Sequence, residues 1–215
     1  ATWVKRLKTN LWVNAVYVLG FSIIGLFFMA LQYVSMSGWS AGLRRIPEAF
    51  ATFLPVASVI LIVTYFIVGH DVFHWTHSGL YEVGGAEYDS IIDGKKGYLD
   101  SILYVVRMFV MLGGWIAFMF FMYKQSGLED KNGGKKHYYN MVKLSAAFIV
   151  FFGVSNSISS WDWILSIDTH WFSTMFGWYH FASYWVMGLA AITLTVIYLK
   201  KAGYLKIVNE NHIHD

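Results

Sequence analysis

Five long stretches carrying little or no charge alternate with short polar connectors along the 215 residues. They cover about 11–36, 49–70, 98–123, 142–160 and 172–199. Roughly 20 helical residues cross about 30 Å of hydrocarbon, so each stretch is long enough, or nearly so, for one passage. The first contains no Asp, Glu, Lys, Arg or His. The second runs into His70-Asp71, and the third is interrupted by Arg107. The pattern predicts an all-α, polytopic transmembrane helix bundle with five spans, forming one domain over 1–215.

Composition agrees with a lipid solvent. The chain is 57% hydrophobic and only 13% charged, against about 25% charged in soluble domains. The net charge of +3 comes from connectors, which excludes a nucleic-acid footprint. Cysteine is absent, which excludes disulfides, thiolate-held iron–sulfur clusters, c-type haem attachment and a cysteine nucleophile in this chain. No signal peptide pattern is visible, and a start at Ala1 leads us to expect a longer parent polypeptide.

Orientation follows from the basic residues in the connectors. One side holds Lys5, Arg6, Lys8, Lys95 and Lys96; the other holds ten, from Arg44 and Arg45 to Lys206. The second side is expected to be cytoplasmic. The opposite, outer side then gathers eight of the thirteen acids and five of the eight histidines. Six tryptophans, among them Trp12, Trp75 and Trp163, are expected at that interface as amphipathic anchors. Gly20, Gly25, Gly113, Gly114 and Gly153 are expected to let helices approach closely.

Three features of the outer side carry chemistry. If the second helix continues, His70, His74 and His77 share one face at i, i+4, i+7, a spacing suited to a metal, to proton relay or simply to a helix end meeting water. Arg107 lies about 13 Å along its helix, where an unpaired guanidinium is costly; Asp71, Asp100 and Asp162 are its candidate partners. Ser155, Asn156, Ser157, Ser159 and Ser160 put five polar side chains into six residues, which must face protein or a wet cavity. His70 with His180 is the one plausible haem couple, and it is not favoured.

Several strings together resemble one family. Gly38-Trp39-Ser40, Arg45-Ile46-Pro47-Glu48-Ala49, Gly94-Lys95-Lys96-Gly97-Tyr98-Leu99, Leu112-Gly113-Gly114-Trp115 and the block from Ser160-Trp161-Asp162-Trp163 to Trp178-Tyr179 resemble the F-type membrane subunit of bacterial alternative complex III. The closing Asn211-His212-Ile213-His214-Asp215 does so too. The resemblance covers most of the chain and implies further helices on either side of it. It implies a quinol-oxidising complex of the bacterial inner membrane, with a fold akin to that of polysulfide-reductase membrane subunits. Haem c and iron–sulfur clusters would sit in partner subunits, and this chain would bind no cofactor of its own beyond quinol or menaquinol. Its partners would be the other subunits, including a sister quinol-binding membrane subunit, lipids and a terminal oxidase.

The expected site follows from both lines of reasoning: His70, Asp71, His74, Arg107, Asp162, Asp168, His170 and His180 form an outward-facing pocket for quinol or its protons, with no metal. Asp and His side chains would accept protons, and Arg107 would hold a carboxylate charged. An alternative is a structural subunit whose polar cluster docks partners or lipids. A transporter or channel ranks last, since polarity stops in the outer half of the spans.

Overall fold

A computed structural model describes residues 3–214, which form helices and turns with no strand among the described residues. The helices are α1 (Trp3–Val34), α2 (Arg45–Thr52), α3 (Leu54–Val72), α4 (Ser90–Gly94), α5 (Ser101–Asn132), α6 (Lys135–Trp163), α7 (Phe176–Lys201) and α8 (Glu210–His214). Five segments are long and apolar enough to cross a membrane: Trp3–Val34, Arg45–Val72, Ser101–Asn132, Lys135–Ile167 and Phe176–Lys201. The molecule is a multi-pass helical bundle.

Four of the five spans run further than their uncharged cores. α1 begins at Trp3 and carries Lys5, Arg6 and Lys8 on helix, whereas the charge-free stretch begins near 11. α5 continues to Asn132 through Lys124, Glu129, Asp130 and Lys131. Its 32 residues measure about 48 Å at the helical rise, so a turn or more stands beyond the hydrocarbon at its ends. The second span is two helices. Pro55 in the first turn of α3 has no N–H to give and crowds the carbonyl of Ala51, so the helix breaks at Phe53.

Helix ends are set by local chemistry. The carboxylate of Asp100 accepts from the backbone N–H of Ile102 and Leu103, and Asp89 does the same for Ile91 and Ile92. α5 and α6 are joined by Gly133 and Gly134 at φ +63° and +79°, a left-handed pair that side chains resist.

α1 is the axis. It packs against α2, α3, α6 and α7, and 67% of its most apolar stretch is buried, against 22% for α7. The outer faces of the other spans present Phe66, Ile102, Val150, Val186 and Leu194 outward, as a lipid-facing surface does. Three of the expected glycine contacts are present: Gly20 seats Tyr184, Gly25 meets Pro47 and Gly114 meets Phe151. Gly113 and Gly153 face open space instead, and Gly188, against Ile24, is the tightest approach of α7 to α1.

The tryptophans divide. Trp3 and Trp171 are exposed, as interfacial anchors would be. Trp12, Trp75 and Trp163 are wholly buried and form core rather than belt. Trp12 packs edge-on against Phe73, and its indole N–H donates to the Trp163 carbonyl at 2.6 Å.

Candidate functional site

The two ends of the bundle are chemically distinct. The first end holds the start of α1, the end of α3, the start of α5, the end of α6 and the start of α7. The eight expected site residues all lie toward it, in four separate groups rather than one pocket.

The first group surrounds the end of α3. The helix does not continue through His77: Phe73 is extended, and residues 74–76 form a single 3₁₀ turn. The reason is burial, since Phe73 and Trp75 turn inward onto Tyr104 and the helical path is abandoned to seat them. The histidines meet nonetheless. The ring of His70 stacks on His77 at 4.3 Å, His74 lies 5.5 Å from His77, and His70 Nδ1 is 3.0 Å from the Thr76 hydroxyl. Burial, then the neighbouring His70 and His74, lowers the pKa of His77 from its usual 6.5. Asp71 points elsewhere and accepts from Lys8 at 2.6 Å, tying α3 to α1. No set of three or more His, Asp or Glu side chains among the described residues has the arrangement of a metal site.

The second group is the centre of the end. Arg107 on α5 grips Asp162 on α6 with two hydrogen bonds, Nε to Oδ2 at 2.7 Å and Nη2 to Oδ1 at 3.2 Å. Asp162 is the partner among three candidates because the other two are engaged, Asp71 by Lys8 and Asp100 as the cap of α5. Its side chain is 1% exposed and that of Arg107 21%, so this is a charge pair inside the protein rather than a surface bridge. The guanidinium lies 4.1 Å over the ring of Tyr98. The Tyr98 hydroxyl faces the same carboxylate, and burial followed by the Asp162 charge holds it protonated well above the usual phenol range. The Tyr104 hydroxyl is buried nearby with no hydrogen-bond partner among the described residues.

Tyr98 also lines a cleft of about 350 Å³ with Lys95, Trp161, Ser166, Trp171 and Phe172. Four of its eleven lining residues are aromatic, its polar groups include a lysine and hydroxyls, and one of the lining rings is the Tyr98 ring that covers Arg107. Such a cleft suits a flat ring bearing hydroxyl or carbonyl oxygens.

The third group ties the connectors across this cleft. His170 Nε2 is 2.7 Å from Asp89 Oδ2, and Lys95 donates to the Thr169 carbonyl. Backbone donation from Ile92, aided by His170, lowers the Asp89 pKa below the usual carboxylate value. Asp168 is exposed and accepts from the backbone N–H of His170 at 3.2 Å. The fourth group is His180 on α7, buried with its ring 4.2 Å from Tyr184 and its Nδ1 without a hydrogen-bond partner among the described residues. Tyr184 in turn donates to the Val16 carbonyl, so His180 belongs to the α1–α7 contact and not to the surroundings of His70.

Sequence reasoning missed Tyr98, Lys95 and Asp89 as members of the site. Tyr98 carried a signal, an aromatic just ahead of the Asp100 cap. It also missed a polar network at the second end. There Arg44 donates to Tyr33, Glu129 and Asp130, while Arg45 pairs with Glu48 and Asp130 and donates to Ser126. Glu48 is buried, with one carboxylate oxygen lacking a hydrogen-bond partner among the described residues. Buried polarity therefore occurs at both ends of the bundle. No protein-family model and no curated protein matches the chain.

Proposed function

We propose that the chain is a membrane subunit of a quinol-oxidising respiratory complex of the alternative complex III kind, in a bacterial inner membrane, and that the Arg107–Asp162–Tyr98 cluster with its cleft serves the quinol or its protons. The observation that carries this reading is the bidentate Arg107–Asp162 pair within the spans, opening through Tyr98 onto an aromatic cleft. Intramembrane charge of this kind is expensive and marks a functional site by default.

Quinol oxidation gives up two electrons and two protons. The electrons would leave to iron–sulfur and haem c centres in partner subunits; this chain's own part is to position the ring and accept protons. In this reading the ring lies among Trp161, Trp171 and Phe172, and a ring hydroxyl donates toward Tyr98. Tyr98 hands a proton to Asp162 as it receives one. The Oδ1 contact to Arg107, at 3.2 Å the longer of the two, is the one that loosens to admit it.

The test is quinol turnover by complexes carrying Asp162→Asn or Arg107→Leu. Normal assembly with full quinol oxidation ends the proposal. A second reading, that the cluster only braces the bundle, is favoured by the near-complete burial of Asp162 and by the adjacent Trp12–Trp163 hydrogen bond. It predicts fewer assembled complexes, each with unchanged turnover.

A further inference from the structure

At the second end the acids that face Arg44 and Arg45 are already spoken for. Glu48, Glu129 and Asp130 are taken by Arg44 and Arg45. That leaves the lysines of the same end, Lys124 and Lys131 on α5 and Lys135, Lys136 and Lys143 on α6. Lys200 and Lys201 close α7, and Lys206 follows it. None of the eight has a hydrogen-bond or ion-pair partner among the described residues. Seven are exposed, and Lys200 is half-buried.

Their setting is repetitive. Each helix end that carries them also presents an exposed tyrosine: Tyr123 beside Lys124, Tyr139 between Lys136 and Lys143, and Tyr198 ahead of Lys200, with Tyr204 ahead of Lys206. Towards the middle of the same helices the outward side chains are apolar, Phe120 and Phe121 on α5, Val150 on α6 and Leu194 on α7. On α5 and α7 the order is apolar face, then phenol, then ammonium, which matches the passage from acyl chain through carbonyl layer to phosphate; on α6 Lys136 follows that order, and Lys143 starts one turn inside Tyr139, within reach of the same layer by extending its side chain. The first end is different: Lys8 is tied to Asp71, Lys95 to Thr169 and Lys96 to the Tyr81 ring, leaving Lys5 and Arg6.

We infer that the lysine and tyrosine residues around the second end form a collar that binds the phosphate headgroups of anionic membrane lipids. The partner is a lipid rather than an acidic protein or a nucleic acid because of the layout. The cations are spread around the ends of three spans, at the edge of a lipid-facing surface. The α5–α6 connection is only the Gly133–Gly134 turn, which projects no docking arm. The register at the hairpin, set by His137 Nδ1 against the Gln125 side chain at 3.0 Å, brings the helix segments carrying Lys124 and Lys136 side by side. The inference needs only the five spans and stands whether or not the chain serves quinol.

The test uses the intact protein reconstituted in bilayers of phosphatidylcholine alone or with phosphatidylglycerol, counting retained lipids by native mass spectrometry after detergent release. The wild type is expected to retain phosphatidylglycerol in preference to phosphatidylcholine, less so at high salt. Lys124→Gln/Lys136→Gln/Lys143→Gln is expected to cut that preference by about a hundredfold, at about fivefold per lysine, and Lys5→Gln/Arg6→Gln to leave it near the wild-type value. If the triple variant does not assemble, Lys143→Gln alone is expected to show the single step. Equal retention of the two lipids by the wild type overturns the inference. So does an equal loss in the first-end control, or a preference for a soluble polyanion that survives the lysine changes.

Discussion

At the scale of single residues, Arg107 and Asp162 set the energetics of the first end. Each charge is buried because the other is there, so removing one is worse than removing both. Arg107→Leu strands a carboxylate that is 1% exposed and is expected to cost about 3 kcal/mol, near the lower end for broken buried pairs because Arg107 keeps some solvent contact. Asp162→Asn leaves a neutral amide that still offers an oxygen to the guanidinium and is expected to cost less. The double variant is expected to be more stable than the sum of the two losses, read as thermal unfolding of the purified protein. Strict additivity would mean the pair is not coupled. His77 makes a separate prediction. Its folded-state pKa lies below the usual 6.5, so the neutral ring is preferred in the folded turn. The stability it supports is present above about pH 6.5 and falls as the pH drops through 6.5 towards the folded value. The protection factors of the 73–77 amides, with the intrinsic pH dependence of exchange divided out, are expected to fall between about pH 7.5 and about pH 5 in the wild type. They should fall less in His77→Gln; an identical response would dissociate the turn from His77.

At the scale of elements, charge-free runs locate the spans well because hydrocarbon admits little else. They locate span ends poorly because a helix does not stop where lipid does. Lys8 belongs to α1 and is held there by Asp71, a partner 63 positions away that no local pattern reveals. The end of α3 is the reverse case: the spacing of His70, His74 and His77 reads as helix, and the inward turn of Phe73 and Trp75 overrides it. Arg107 announced its need of a carboxylate from sequence alone. Which carboxylate answered was decided by what the others were doing, and the role of Tyr98 is visible only once its ring lies across the guanidinium. The α5–α6 hairpin offers a cleaner test of local reading. Gly133→Ala or Gly134→Ala places a Cβ in a positive-φ, extended conformation essentially reserved for glycine and is expected to cost about 1–3 kcal/mol each. Unchanged thermal stability in both would show that the turn adopts another conformation.

At the scale of the whole molecule, the bundle is organised around one helix, and its two ends carry different kinds of polarity. The first end ties Lys8 to Asp71, Arg107 to Asp162 and His170 to Asp89 across elements, which suits a structured cleft. The second end ties Glu48, Glu129 and Asp130 to Arg44 and Arg45 and leaves lysines outward, which suits contact with a charged membrane surface. Contacts across the axis are tight: Gly188→Leu is expected to drive α7 away from Ile24 and to expose the seat of Tyr184 at Gly20. The measurement is cross-linking between cysteines introduced on α1 and α7, and efficient cross-linking in the variant would contradict it.

The position of α1 in the chain has a consequence for biogenesis. The most enclosed span is made before the four that enclose it, so on leaving the ribosome its surfaces for α3, α6 and α7 are covered by lipid or by the insertion machinery. Each later hairpin must displace that temporary cover. The narrow notch at Gly20 and Gly25 stays open until α2 and α7 have been synthesised. Ribosomes stalled after α6 should therefore hold an α1 still accessible at Gly20, and the synthesis of α7 is the step that closes that notch.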